Sequence, residues 1–160
     1  MQTRRRILIA SLAITVSAMI APAAMAARAA VPIVPHDNIA IVSGTGKTPT
    51  LDEVRGAITR GAAIHDWSIS VVQPGVLMAS LNVRNKHFAS VTIKYSETSY
   101  SVTYRDSTNL EYQVAGERVA ATRREDFPST ISPSTPMIHP NYNRWVDTLI
   151  HDINVELRRL

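Results

Sequence analysis

From Trp67 to Arg105 apolar and polar residues alternate, and three pairs of turn residues interrupt the alternation. Leu77, Ala79, Leu81 and Val83 share one face of the segment that follows Pro74-Gly75. Ala89, Val91, Ile93 and Tyr95 share one face after Asn85-Lys86, with Ser90, Thr92 and Lys94 opposite. Tyr100, Val102 and Tyr104 alternate with Ser101, Thr103 and Arg105 after Glu97-Thr98. A period of two with short connections predicts an antiparallel meander of four strands, one face wet and one apolar. The apolar face needs a cover, so the rest of the chain has to supply one.

Two helical patterns flank the meander. Thr50-Leu51-Asp52-Glu53 is a capping box, in which the Thr hydroxyl accepts from the Glu53 amide and the Glu carboxylate reaches back to the Thr50 amide. Leu51, Val54, Ala57 and Ile58 follow at helical spacing, and either Gly61 or His65-Asp66 ends the helix. Near the C-terminus Pro140 suits a first helical position. Tyr142, Trp145, Val146, Leu149, Ile150, Ile153, Leu157 and Leu160 then form an apolar stripe, with Arg158 and Arg159 at the end that the helix dipole favours. The expectation is an α+β fold of two layers, in the order α-β-β-β-β-α, with both helices on one face of a four-stranded meander. In that arrangement Trp145 is expected to be mostly buried against Val91, Ile93, Val102 or their neighbours. Residues 27–49, with Pro32, Pro35 and Ser43-Gly44-Thr45-Gly46, read as a flexible linker. Residues 50–160 read as a single domain, with a mobile loop at 113–137 that carries Pro128, Pro133 and Pro136.

The first 26 residues have the three zones of an export signal. Arg4, Arg5 and Arg6 precede an uncharged apolar run from Ile7 to Ile20, and Ala24-Met25-Ala26 offers a small-residue cleavage site. The competing reading is an uncleaved anchor; Pro22 and the alanines ahead of Arg28 favour cleavage. The predicted location is periplasmic or secreted in a bacterium, with no integral membrane span after cleavage. Of 17 basic residues three lie in the leader, and with 13 acids the mature chain is close to neutral. That balance argues against nucleic acid and against a membrane-surface role. With no cysteine there is no disulfide, no thiolate metal site and no lipoprotein anchor, so burial alone holds the domain.

Ser43-Gly44-Thr45-Gly46-Lys47-Thr48 imitates a phosphate-binding loop, but Ile41 stands where the first glycine belongs and Pro49 follows where a helix should begin. His36, His65, His87, His139 and His151 show no zinc spacing, and no metal or cofactor is expected. Asp147 and His151, one turn apart, read as a solvated pair. The most informative polar stretches are Asp106-Ser107-Thr108-Asn109-Leu110-Glu111-Tyr112 and Ile138-His139-Pro140-Asn141-Tyr142-Asn143-Arg144-Trp145. Groups of these types at a strand end satisfy orphan donors at a helix start, so the two tracts can latch onto each other. The candidate binding residues at that corner are Asp106, Ser107, Asn109, His139, Asn141 and Asn143.

With Gly61-Ala-Ala-Ile-His-Asp-Trp67 and Tyr100-Ser-Val-Thr-Tyr104, these tracts resemble a family of small exported proteins and lipoproteins of proteobacteria. The likeness covers about residues 50–112 and 138–160; this chain lacks the lipoprotein cysteine and has a longer 113–137 segment. The resemblance implies compartment and fold, and no particular reaction. The first candidate function is a non-catalytic envelope domain that binds another envelope protein, a peptide or a cell-wall component. The alternative is a small periplasmic hydrolase or metal-handling protein using His139 with Asp106 or Ser107.

Overall fold

The computed structural model describes residues 29–114 and 135–160. The leader at 1–26 and most of the 113–137 segment lie outside them. The described chain is α+β, with ten elements: β1 (Val31–Pro32), β2 (His36–Ala40), α1 (Leu51–Ala63), β3 (Ser68–Gln73), β4 (Val76–Val83), β5 (His87–Tyr95), β6 (Ser99–Thr108), β7 (Gln113–Val114), β8 (Pro136–Ile138) and α2 (Asn141–Leu157).

The main sheet is antiparallel and has five strands, not four, in the order β2-β6-β5-β4-β3. The extra strand comes from the stretch expected to be a linker: His36 pairs with Val102, Ile39 with Tyr100 and Ala40 with Ser99. Its alternation is broken by a register shift between His36 and Ile39, and Asn38 has φ 52°. A bulged edge strand after Pro35 has no clean period of two, which is why its sequence reads as linker. The second departure is a small sheet in the order β1-β8-β7, which pairs Val31 with Ile138 and Gln113 with Met137. The two ends of the expected mobile loop are therefore held side by side.

The inward rungs Leu77-Ile93-Val102 and Ala79-Val91-Tyr104 carry the apolar face. Val54, Ala57, Ile58 and Ala62 of α1 and Tyr142, Val146, Leu149, Ile153 and Leu157 of α2 join it in one buried cluster. Arg105 is a bulge, because Ser90 pairs with Asp106 while Val91 pairs with Tyr104. Without it strict alternation would turn Asp106 inward after Tyr104; with it Ser107 stands opposite Ala89 and the carboxylate is exposed.

The capping box forms as expected, with Thr50 N–H donating to Glu53 Oε2 at 2.7 Å and Glu53 N–H to Thr50 Oγ1 at 3.3 Å. Helix α1 stops at Ala63 and the chain turns out of it through His65-Asp66: Trp67 N–H donates to the Ala62 carbonyl at 3.1 Å, Asp66 N–H to Ala63 at 3.4 Å, and Asp66 has φ 60°. This is a Schellman closure with an aspartate where glycine is usual, and it drives Trp67 into the core at 4% exposure.

The stretch that imitates a phosphate loop has a packing role. A Cβ at Gly44 would collide with the Arg158 carbonyl oxygen, so the loop seats on the C-terminal, electronegative end of α2. Asp147 does not pair with His151; its Oδ1 lies 3.4 Å from His36 Nε2 on β2.

Tyr100 donates to Asn154 Oδ1 at 3.0 Å. Burial pushes the hydroxyls of Tyr100 and Tyr142 well above the ordinary phenol value of about 10. The folded state therefore favours the neutral phenols. Their contribution is complete below about pH 10, the unfolded value, and is lost as pH rises toward the folded values. The melting temperature should fall steeply above about pH 10, and Tyr100→Phe should flatten that fall; a melting temperature independent of alkali would contradict it.

Candidate binding cleft

The strand-end and helix-start tracts meet. His139 N–H donates to the Leu110 carbonyl at 2.8 Å, and Leu110 and Ile138 are both buried. The six candidate residues make their bonds within the chain. Asp106 Oδ1 accepts the Ser107 amide at 2.8 Å, and the Ser107 hydroxyl bonds Tyr104 Oη at 3.0 Å. Asn109, with φ 57°, donates from Nδ2 to the Lys86 carbonyl at 2.6 Å, and its own carbonyl lies 2.9 Å from His87 Nδ1. His139 Nδ1 accepts the Asn141 amide at 3.2 Å, and Asn141 Oδ1 accepts Arg144 Nη2 at 2.8 Å. Asn143 grips the N-terminal segment, donating to the Pro32 carbonyl at 2.8 Å and accepting the Val34 amide at 3.3 Å. These contacts fix the angle of α2 and the ends of the small sheet. They do not gather the six side chains around one space.

A space does open one step away. Two of the six lead to it: Asn109 orients His87, whose ring lies 6.5 Å from that of Trp145, and Asn141 holds Arg144. Trp145 packs against the core cluster, as expected, but is only partly buried. The buried stripe of α2 runs through Tyr142, Val146, Leu149, Ile153 and Leu157, and Trp145 lies at its margin, partly buried. There it lines a cleft of about 450 Å³ with His65, Asp66 and Trp67 after α1, Leu81 to Arg84 at the end of β4, and Arg144 and Thr148 of α2.

Each wall has a local cause. The Schellman closure places His65 and Asp66 at the rim, and Asp152 Oδ2 fixes His65 Nδ1 at 2.7 Å. The turn between β4 and β5 closes with Lys86 N–H donating to the Val83 carbonyl at 3.1 Å. Its central residues Arg84 and Asn85 have φ 54° and 53°. Asparagine tolerates that conformation, whereas arginine does so at a cost of roughly 1–2 kcal/mol. Arg144 and Trp145 stand in the first turns of α2, where the helix dipole is positive. Among the described residues neither Arg84 nor Arg144 is in an ion pair. Chemically the cleft offers two guanidinium groups, an indole face, and the acceptors Asp66 and Asn82.

Sequence reasoning missed two buried acids as well. Asp152 and Glu156 lie on the face of α2 that meets α1, at 8% and 4% exposure. Glu156 accepts Arg60 Nε at 2.9 Å and also pairs with Arg159. Carboxylates inside an apolar stripe are the signal that could have found them. Among the described residues no three His, Asp or Glu side chains converge on a possible metal position, and no helix is long and apolar enough to cross a membrane. Comparison with protein-family models, curated proteins and solved structures finds no match to this chain.

Proposed function

We propose that the chain is an exported protein of the bacterial envelope, periplasmic or secreted, whose domain binds an envelope component without catalysing a reaction. Its likeness to small exported proteins and lipoproteins of proteobacteria belongs to the same proposal. The observation that carries the binding role is the cleft, which is lined by two arginines outside any described ion pair and by a partly buried tryptophan. A concave site of mixed apolar and polar lining is the usual form of a ligand site. The export role rests on the three-zone leader. A hydrolase built on His139 would need that ring to act on Ser107 or Asp106. These three bond instead to Asn141, Tyr104 and the Ser107 amide, so the hydrolytic reading gains no support.

Expression of the full chain in a Gram-negative host tests the location. The periplasmic fraction should yield a product whose mass places its N-terminus within a few residues of Ala27. Full-length protein in the inner membrane or the cytoplasm would reject export with cleavage.

A further inference from the structure

We infer that the cleft recognises a carboxylate-bearing sugar of the cell wall. This deepens the proposed function and rests on the cleft being the binding site of an exported domain. Four observations converge on it. Arg84 and Arg144 reach the cleft from different elements, the β4–β5 turn and the first turns of α2. Two arginines lining one small space are suited to a carboxylate, which accepts from guanidinium groups in charge-assisted bonds.

The second observation is the backbone at Arg84. A residue held at φ 54° in a turn that favours glycine or asparagine is under strain, and such outliers cluster at ligand sites. The third is the indole of Trp145, partly exposed in the cleft, with the His87 ring 6.5 Å away. An aromatic face with both an apolar body and a polar edge suits the apolar side of a sugar ring. The fourth is the acceptor pair. Asp66 and Asn82 line the same space. They would repel or ignore a bare anion, but they accept from hydroxyls. Among the described residues Asp66 is the only carboxylate lining the cleft, so the two arginines leave that lining net positive. A simple anion would not use the indole or the acceptors, and a neutral sugar would leave both guanidinium groups without a charged partner. A volume of about 450 Å³ falls within the range of small-ligand sites, roughly 300–1,000 Å³.

The test is a heteronuclear NMR titration of the exported chain with N-acetylmuramic acid and, in parallel, with N-acetylglucosamine, which lacks the lactyl carboxylate. The acid should shift the Trp145 indole N–H and the Arg84 and Arg144 side-chain signals. The neutral sugar should bind at least about tenfold more weakly, the worth of one charge-assisted pair. Arg144→Gln and Arg84→Asn should each weaken the acid about tenfold while keeping the amide spectrum. Arg84→Asn also relieves the strained φ, so it keeps the test open if Arg144→Gln fails to fold. Equal affinity for the two sugars would overturn the carboxylate assignment and leave the cleft standing. Shifts at Trp145 only with a solubilised cell-wall digest, and not with the acid, would overturn the ligand class. No shift at Trp145 with the sugars or with the digest would overturn the cleft itself as the binding site.

Discussion

Gly61→Ala should destabilise the domain by about 1–3 kcal/mol, and Gly61→Val by more, against a total of about 5–15 kcal/mol. In an exposed helix the alanine change would instead stabilise by about 1 kcal/mol. The sign reverses here because α1 and α2 touch through their backbones at this residue. A Cβ on Gly61 would lie 2.7 Å from Ile153 N, 2.8 Å from Ile153 Cα and 2.9 Å from Asp152 C. Backbone atoms cannot rotate aside, so one helix has to move. Movement would also stretch Arg60–Glu156 and His65–Asp152, the pairs that keep two buried carboxylates partnered. Gly56→Ala is the internal control. Its Cβ would meet only the Arg60 Nη1, at 3.2 Å, the far end of a flexible side chain. That substitution should be neutral or slightly stabilising. Urea midpoints separate the cases: a Gly61→Ala protein as stable as wild type would show that the helices are not in backbone contact.

The same contact shows what local sequence can and cannot carry. Thr50 and Glu53 are three residues apart, and their reciprocal bonds are decided within one turn, so the start of α1 is legible. The alternation in β4 to β6 is legible because each of those strands is eight or more residues long, and the one bulge, at Arg105, comes near the end of β6. Strand β2 is not, because Asn38 takes a positive φ inside it and the register slips. Strands β1 and β7 have two residues each, too few to show any period. Trp145 is only partly buried because a stripe at i, i+3, i+4 spacing is wider than the strip of α2 that is fully buried. Its centre, Val146 and Leu149, is buried, and its margin faces the cleft. The cleft has no spacing of its own: residues 65–67, 81–84 and 144–148 are brought together by a helix end, a hairpin turn and a helix start. What the sequence did carry was the two polar tracts, whose His139–Leu110 bond sets the helix angle that places Arg144 and Trp145.

Tyr142→Ala should be far more damaging to stability than Trp145→Ala, although tryptophan is the larger side chain. Tyr142 is 2% exposed, and its ring meets Tyr104 edge-on at 5.6 Å and 67°. Tyr104 in turn stacks on Tyr112 at 4.4 Å and 5°. Tyr142 thus fastens the first turn of α2 to the end of β6 and to the chain that leads into β7. Truncating a buried aromatic costs about 3–5 kcal/mol through lost transfer energy and the cavity left behind. Loss of the edge-on pair adds about 0.5–1.5 kcal/mol. Trp145 lies at the margin of the core, and water can fill the space that its truncation leaves in the cleft. Its removal should cost about 1–2 kcal/mol, nearer the ordinary value for a point mutant than that of a core truncation. The ligand should respond in the opposite order: Trp145→Ala removes the indole face and should abolish the NMR-detected binding while the protein still melts cooperatively. A Trp145→Ala protein that unfolds as readily as Tyr142→Ala would put the indole in the core. A Trp145→Ala protein that is stable and still binds would remove the indole from the site.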